Sequence, residues 1–200
     1  KLSHSQVRGE SSYSLLDINR AGIPLMEIVS EPDLRSPEEA RSYLISLRSI
    51  LQYIDVSTAN MEEGNFRCDA NISLKEFSDI ELGPKVEIKN MNSFKAVYEA
   101  LQYEIKRQTK LKDSNEKILS ETRGWVEEKG VTVSQRSKEE IADYRYFPEP
   151  DLPPLEIDST LITNINDELP ELPNIKKSRL ISEYKLSEYD AEMIIASKQI

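Results

Sequence analysis

The chain is poor in the side chains that most often carry chemistry. It holds one Cys, one His and one Trp in 200 residues. A single Cys excludes an internal disulfide and a thiolate metal cage. A single His, His4, argues against a His-rich zinc site and a Ser-His-Asp triad. A metal here would therefore be held by oxygen, which favours Mg²⁺ or a similarly hard cation. No apolar run approaches the length of a membrane span. Positive charge is scarce as well. There are 26 Lys and Arg against 36 Asp and Glu, a net charge of −10, and the pI is about 4.8. That balance argues against non-specific binding to nucleic acid or an anionic membrane, though it leaves room for a local basic patch.

What is present is enough for a core. Apolar residues make up 38% and charged residues 31%, with nine Tyr. Two hundred residues make one large domain or two small ones. The most informative stretch runs from Met61 to Lys75. From Phe66 it alternates strictly, with Phe66, Cys68, Ala70, Ile72 and Leu74 on one side and Arg67, Asp69, Asn71, Ser73 and Lys75 on the other. Period-2 alternation predicts a strand with one face in a core, and Cys68 falls on that apolar face as a small core residue. The other face carries Asp and Asn, which strands disfavour, beside an Arg. Cationic donors, a hard carboxylate and an amide in a row suit a phosphate or a hydrated metal; a solvated strand face is the alternative.

Other segments read more simply. Tyr13 to Asn19 and Ile23 to Val29 are expected strands around an Arg20-Ala21-Gly22 turn. Glu27 interrupts the second, and a carboxylate there is costly to bury unless paired or metal-bound; an edge position facing solvent is the other option. Ser36-Pro37-Glu38-Glu39 opens a helix with a capping box. Its stripe Ala40, Tyr43, Leu44, Leu47, Ile50, Leu51 and Ile54 is core-packing. Lys85 to Lys89 alternates again, and Ser93 caps a helix carrying Phe94, Val97, Tyr98, Leu101 and Ile105. The polar side of that helix gathers Lys95, Lys106, Arg107, Lys110 and Lys112, either a phosphate-backbone contact or a solvated face. Glu121 to Glu128 and Val131 to Arg136 predict a hairpin around Lys129-Gly130. Ser137 to Glu140 has a second capping-box pattern. Asp143 to Leu155, with Tyr144, Tyr146, Phe147 and four prolines, is a stiff ring-rich segment able to stack on a base or to close over a core edge. A loop over 164–173 and helices over 175–184 and 187–198 follow. The expected division is residues 1–159 and residues 160–200. The chain starts Lys-Leu-Ser-His and stops inside a helical pattern, which reads as a piece of a longer protein.

Several of these blocks together resemble the B subunits of the aspartyl/glutamyl-tRNA amidotransferase. The matching runs are Asp17 to Asp33, Met61 to Leu74, Val86 to Phe94, Glu121-Thr122-Arg123 and Asp143 to Leu152, in order along the chain. The resemblance implies an α+β fold: a mixed-sheet "cradle" with packed helices over 1–159, then the start of an all-α domain over 160–200. It implies a carbon–nitrogen ligase with glutamine as amide donor. ATP and Mg²⁺ serve to phosphorylate the side-chain carboxylate of Glu-tRNA(Gln) or Asp-tRNA(Asn), and ammonia delivered from the family's glutaminase component displaces the phosphate. The implied partners are the A and C subunits and the misacylated tRNA, with no membrane, and the implied location is the bacterial cytoplasm or an organelle.

Carried over residue by residue, Glu27 matches the family's metal-binding glutamate, and Arg67, Asp69 and Asn71 match the polar face presented to the catalytic site. Arg67 is expected on phosphate oxygens and Asp69 on metal or its bound water. Lys89, Asn90 and Glu63 are expected to position ATP or the tRNA terminus. Other ligands of the family's metal site precede Lys1, so this stretch alone is expected to be inactive, and His4 is not the family's metal-binding His. Val126 stands where the family commonly has an acidic residue. Two readings compete: a non-catalytic tRNA-binding scaffold of the same assembly, and an unrelated carboxylate-metal hydrolase.

Overall fold

Two serines start the two long helices. The Ser36 hydroxyl accepts from the Glu39 backbone N–H at 3.1 Å, and the Ser93 hydroxyl from the Ala96 N–H at 3.0 Å. Each satisfies an orphan helix donor, worth about 1 kcal/mol. Helix α1 spans Pro37–Tyr53 and α2 spans Phe94–Asp113. The Glu39 carboxylate departs from a standard capping box, accepting from the Arg35 N–H instead of Ser36. The computed structural model describes residues 2–5, 13–16, 18–19, 21–76, 78–137 and 150–198. They divide into two units, residues 1–34 and residues 35–200.

In the larger unit, strands β3 (Cys68–Ile72), β4 (Val86–Met91), β5 (Glu121–Val126) and β6 (Val131–Ser137) form one sheet in that order. β3 and β4 are antiparallel. β4 and β5 are parallel, joined through α2, and β5 and β6 are antiparallel. The fold is α+β, with a mixed sheet. The β5–β6 link is the expected tight connection: a 3₁₀ turn over Glu127–Lys129 and Gly130 in the left-handed region at φ 60°, where glycine costs least.

Burial divides the sheet into two faces. Val86 and Ile88 have no exposed surface, and Ile88 joins Leu44, Met91, Ala96, Val97, Ala100, Leu101 and Trp125 in the core. Phe66, Cys68, Ala70 and Ile72 pack against this cluster, as their alternation predicts, although the regular strand is shorter than 66–75. α2 therefore covers one face, and α1 packs on α2.

A buried carboxylate ties α2 to the far strands. Glu104 is fully buried and accepts from Arg107 Nε at 2.9 Å and Nη2 at 2.8 Å, from Gln108 at 2.9 Å and from the Thr132 hydroxyl of β6. Arg123 Nε of β5 lies 3.1 Å from the same carboxylate. Arg107, expected on the solvated basic face, is thus an internal partner. Lys112 pairs with Glu76 at 2.8 Å and Lys95 lies 3.6 Å from Glu99, while Lys95, Lys106 and Lys110 are all exposed.

The C-terminal helices are α3 (Ser159–Glu168), α4 (Pro173–Tyr184) and α5 (Glu188–Ile195). α3 corrects the expected 164–173 loop. Asp158 caps it, accepting from the Leu161 N–H at 2.7 Å, and Leu161, Ile162 and Ile165 carry the helical spacing. Asn164 and Asn166, weak helix formers, obscure that period. Lys177 of α4 binds Glu188 and Glu192 of α5 at 2.9 and 2.6 Å. The Tyr53 hydroxyl of α1 donates to the Ile195 carbonyl at 3.0 Å.

In the smaller unit, β1 (Leu2–Ser5) pairs antiparallel with β2 (Tyr13–Leu16). β1 is additional to the expected strands, and β2 is shorter than 13–19. The strand expected over 23–29 is not formed. The segment carries no regular structure and makes no ladder, and its apolar side chains are 44–93% exposed. The turn before it holds, with the Ala21 N–H donating to the Ile18 carbonyl at 2.9 Å and Gly22 at φ 77°. Ser137, the expected start of the second capping box, ends β6, and the rest of that pattern, 138–140, and most of the ring-rich segment at 143–155 lie outside the described residues.

The Glu104 cluster predicts an acid-sensitive stability. Burial pushes its carboxyl up, but hydrogen bonds from Arg107, Thr132 and Gln108 outweigh that and hold it below its ordinary value. A carboxyl depressed by folding stabilises above its unfolded pKa of about 4.3 and loses that contribution as pH falls through the folded value. Glu104→Ala, which strands buried guanidinium groups, is expected to cost about 3–5 kcal/mol in urea unfolding at neutral pH. The gap to the parent chain should close on acidification below about pH 4. An equal gap at both pH values would show that the carboxylate's charge is not what stabilises the cluster.

Candidate functional site

The uncovered face of the sheet is where the polar alternation points. β3 presents Asp69 and Asn71 there, both exposed, with Arg67 just before the strand, also exposed. β4 presents Glu87 and Lys89, since Val86 and Ile88 are committed to the core. Register brings the two sets together: Asn71 lies opposite Glu87, and a shift between Cys68 and Ala70 slides the ladder so that Cys68 meets Met91. Such an irregularity re-aims side chains locally.

Lys89 is the centre of the cluster. Its ammonium lies 3.3 Å from Asp69 Oδ2 and 3.6 Å from Glu87 Oε1. Partial burial lowers its proton affinity, but the two carboxylates more than reverse this and leave its pKa above the ordinary lysine value. Lys89 is therefore a fixed cation at neutral pH. Next to it, Cys68 on the buried side is pushed up to about 11, by burial first and by the Asp69 charge second. The thiol stays protonated and packs as a core residue.

Asn90 follows in the left-handed region at φ 65°, which Asn tolerates better than most residues. A Cβ built on Gly124, the residue opposite Lys89 on β5, would collide with Gln135 Nε2 and stand 3.1 Å from Asn90 Nδ2. Two side-chain amides thus converge over a glycine beside Lys89. Glu63 lies outside this group, in the turn before β3, where its carboxylate accepts from Asn65 Nδ2 at 3.0 Å. Glu27 belongs to the other unit and is exposed.

The structure therefore brings Asp69, Asn71, Lys89 and Asn90 onto one sheet face. It adds Glu87, Gly124 and Gln135, which sequence reasoning does not single out. A signal for Glu87 exists, because the alternation over 85–89 places it with Lys89. For Gly124 and Gln135 there is none, because their position depends on pairing between β5 and its neighbours. A hollow of about 790 Å³ between the 78–84 loop and residues 116–118 contains none of these residues. The open sheet face is the stronger candidate, because that is where opposite charges converge.

Among the described residues, no three His, Cys, Asp or Glu side chains gather closely enough to form a metal cage. Mg²⁺ is usually held by one or two carboxylates, with waters and substrate phosphates completing the shell. The all-oxygen donors Asp69 and Glu87 fit that mode. The Lys89 and Arg67 cations and the amides fit phosphate oxygens. No helix among the described residues is long and apolar enough to cross a membrane.

The geometry predicts the effect of filling the glycine. Gly124→Ala meets only the far ends of two flexible side chains, so stability should change by no more than about 1 kcal/mol. The side-chain amide resonances of Asn90 and Gln135 should move. Unmoved resonances would show that the two amides do not rest on Gly124.

Residues 1–163 match the family described as the GatB/GatE catalytic domain. The chain is also similar to curated proteins named as B subunits of aspartyl/glutamyl-tRNA(Asn/Gln) amidotransferase. It is 62% identical over 200 residues to one from Dehalococcoides mccartyi (strain CBDB1), covering 100% of this chain and 41% of that protein. It is 51% identical over 200 residues to one from Carboxydothermus hydrogenoformans, covering 100% and 42%. With one from Thermodesulfovibrio yellowstonii it shares 52% over 194 residues, covering 97% and 41%. The chain thus spans about two fifths of the length of the curated relatives it matches.

Proposed function

The chain belongs to the GatB/GatE catalytic-domain family, and from that premise we propose that it is the kinase part of the B subunit of a glutamine-dependent tRNA amidotransferase. The observation that carries the reading is the open sheet face on which Asp69, Glu87 and Lys89 meet. The substrate is Glu-tRNA(Gln) or Asp-tRNA(Asn), and the A and C subunits complete the enzyme. Residues 1–159 form the cradle and residues 160–200 begin a helical domain. The setting is the cytoplasm.

A carboxylate is a poor acyl donor until one oxygen becomes part of a leaving group. In the first step a side-chain carboxylate oxygen of the aminoacyl-tRNA attacks the γ-phosphorus of ATP, and the bond to ADP breaks. In the second, ammonia forms the new C–N bond, phosphate departs, and a proton is lost from nitrogen. Phosphoryl transfer needs positioning and charge neutralisation more than it needs a nucleophilic side chain. Mg²⁺, when bound, neutralises phosphate charge. Asp69 is assigned to hold it, with Glu27 assigned on the family match alone. Arg67 grips phosphate oxygens with its planar donor fork. Asn71 donates its amide to the reacting groups, while Lys89, Asn90 and Glu63 orient ATP or the tRNA terminus.

The test uses the full-length protein in complex with its partner subunits. Asp69→Ala is expected to lower Glu-tRNA-dependent ATP hydrolysis by about 10²-fold or more. Glutamine hydrolysis and tRNA binding should persist. Unchanged ATP turnover would make the polar strand face structural and leave the scaffold reading standing.

A further inference from the structure

Resting on that reading, we propose that Lys89 is an exchangeable counter-ion: its ammonium holds the cation's place at Asp69 and passes to the transferring phosphate when metal and nucleotide bind together. The backbone is arranged for this contact. Cys68 pairs with Met91 and Ala70 with Ile88, so the single residue Asp69 on β3 stands against two, Lys89 and Asn90, on β4. That is a bulge, and one of its two residues, Asn90, lies in the left-handed region at φ 65°. Bulges re-aim the side chains beside them. Here Lys89 Nζ comes to 3.3 Å from Asp69 Oδ2, with Lys89 40% and Asp69 50% exposed.

A carboxylate with an ammonium beside it is charge-neutral, and a divalent cation can take that carboxylate only by turning the ammonium away. Lys89 is suited to leave. Its charge is a compact point on a flexible four-carbon stem, and a half-exposed pair of this kind is held weakly. Charge also sets its destination. Metal on Asp69 repels the ammonium, while nucleotide phosphate attracts it, and an ammonium binds phosphate as a point charge. One lysine thus neutralises the carboxylate before substrates bind and the phosphate afterwards. Metal and nucleotide become coupled ligands. Metal alone works against the Lys89 charge, whereas metal with nucleotide gives that charge a partner.

The experiment again uses the full-length protein with its partner subunits. It is titrated with Mn²⁺ alone, without nucleotide, and electron paramagnetic resonance separates free from bound ion. Removing one positive charge about 4 Å from a divalent ion raises affinity about tenfold or more, even at the dielectric of water. Lys89→Met and Lys89→Gln are therefore expected to bind Mn²⁺ about tenfold more tightly than the parent. Adding Asp69→Asn to Lys89→Met should abolish that gain. Lys95→Met, which removes an exposed lysine of α2, should stay within about twofold of the parent. Because the half-exposed pair adds little to stability, these variants fold as the parent does, which Tm checks. Despite its tighter metal, Lys89→Met should lose Glu-tRNA-dependent ATP turnover by about 10²-fold. Parental Mn²⁺ affinity in both neutral variants would overturn the proposal. So would a gain that survives Asp69→Asn, one matched by Lys95→Met, or parental ATP turnover in Lys89→Met. Asp69→Ala separates the two readings. Parental ATP turnover there overturns the kinase reading, while the substrate-free titration still decides whether Lys89 holds the cation's place.

Discussion

A single carboxylate with no exposure to water decides which face of this sheet is closed. Glu104 can be buried as an anion only because Arg107, Arg123, Gln108 and Thr132 surround it. Those partners come from α2, β5 and β6, so the requirement to satisfy one charge fixes a helix across two strands. An uncompensated charge in that position would cost several kcal/mol. With α2 held there, Val86, Ile88 and Trp125 have their cover, and the reverse side of the same strands stays open.

The open side inherits its chemistry from that choice. Each strand alternates, so committing Ile88 to the core commits Glu87 and Lys89 to the other face. Committing Arg123 to Glu104 commits Thr122 and Gly124 to it as well. The buried salt-bridge cluster and the exposed charged cluster are thus two sides of the same three residues' worth of backbone. One is dry and structural. The other is wet, and its Lys89–Asp69 contact, between half-exposed groups, contributes little to stability. That makes it available for binding.

How much of this is legible in the sequence depends on range. Ser36 and Ser93 announce their helices because a cap acts over three residues. The polar and apolar faces of β3, and the β5–β6 hairpin with Gly130, are legible for the same reason. Arg107 misleads, because a basic residue on a helix looks solvated until the strand beneath it is known. Ile23 to Val29 looks like a strand by composition, but a strand is defined by a neighbour that sequence does not name. Glu87 is visible in the alternation, yet its importance depends on Lys89 and Thr122, the second of them 35 residues away. Asp69, Asn71, Lys89 and Asn90 owe their selection to family resemblance joined to alternation; their convergence is a matter of register.

The parallel pairing of β4 with β5 carries a kinetic consequence. Antiparallel neighbours can zip from a turn, but these two strands meet only after the intervening α2 has folded back over them. Closing a loop of 35 residues costs about 3 kcal/mol of chain entropy by its length dependence alone. Local pieces, α2 and the β5–β6 hairpin, form in microseconds. The long-range β4–β5 ladder must wait for both. Only the Thr122–Glu87 hydrogen bond of the charged face waits on that ladder, because Lys89 shares its strand with Glu87 and meets Asp69 within the antiparallel β3–β4 pair.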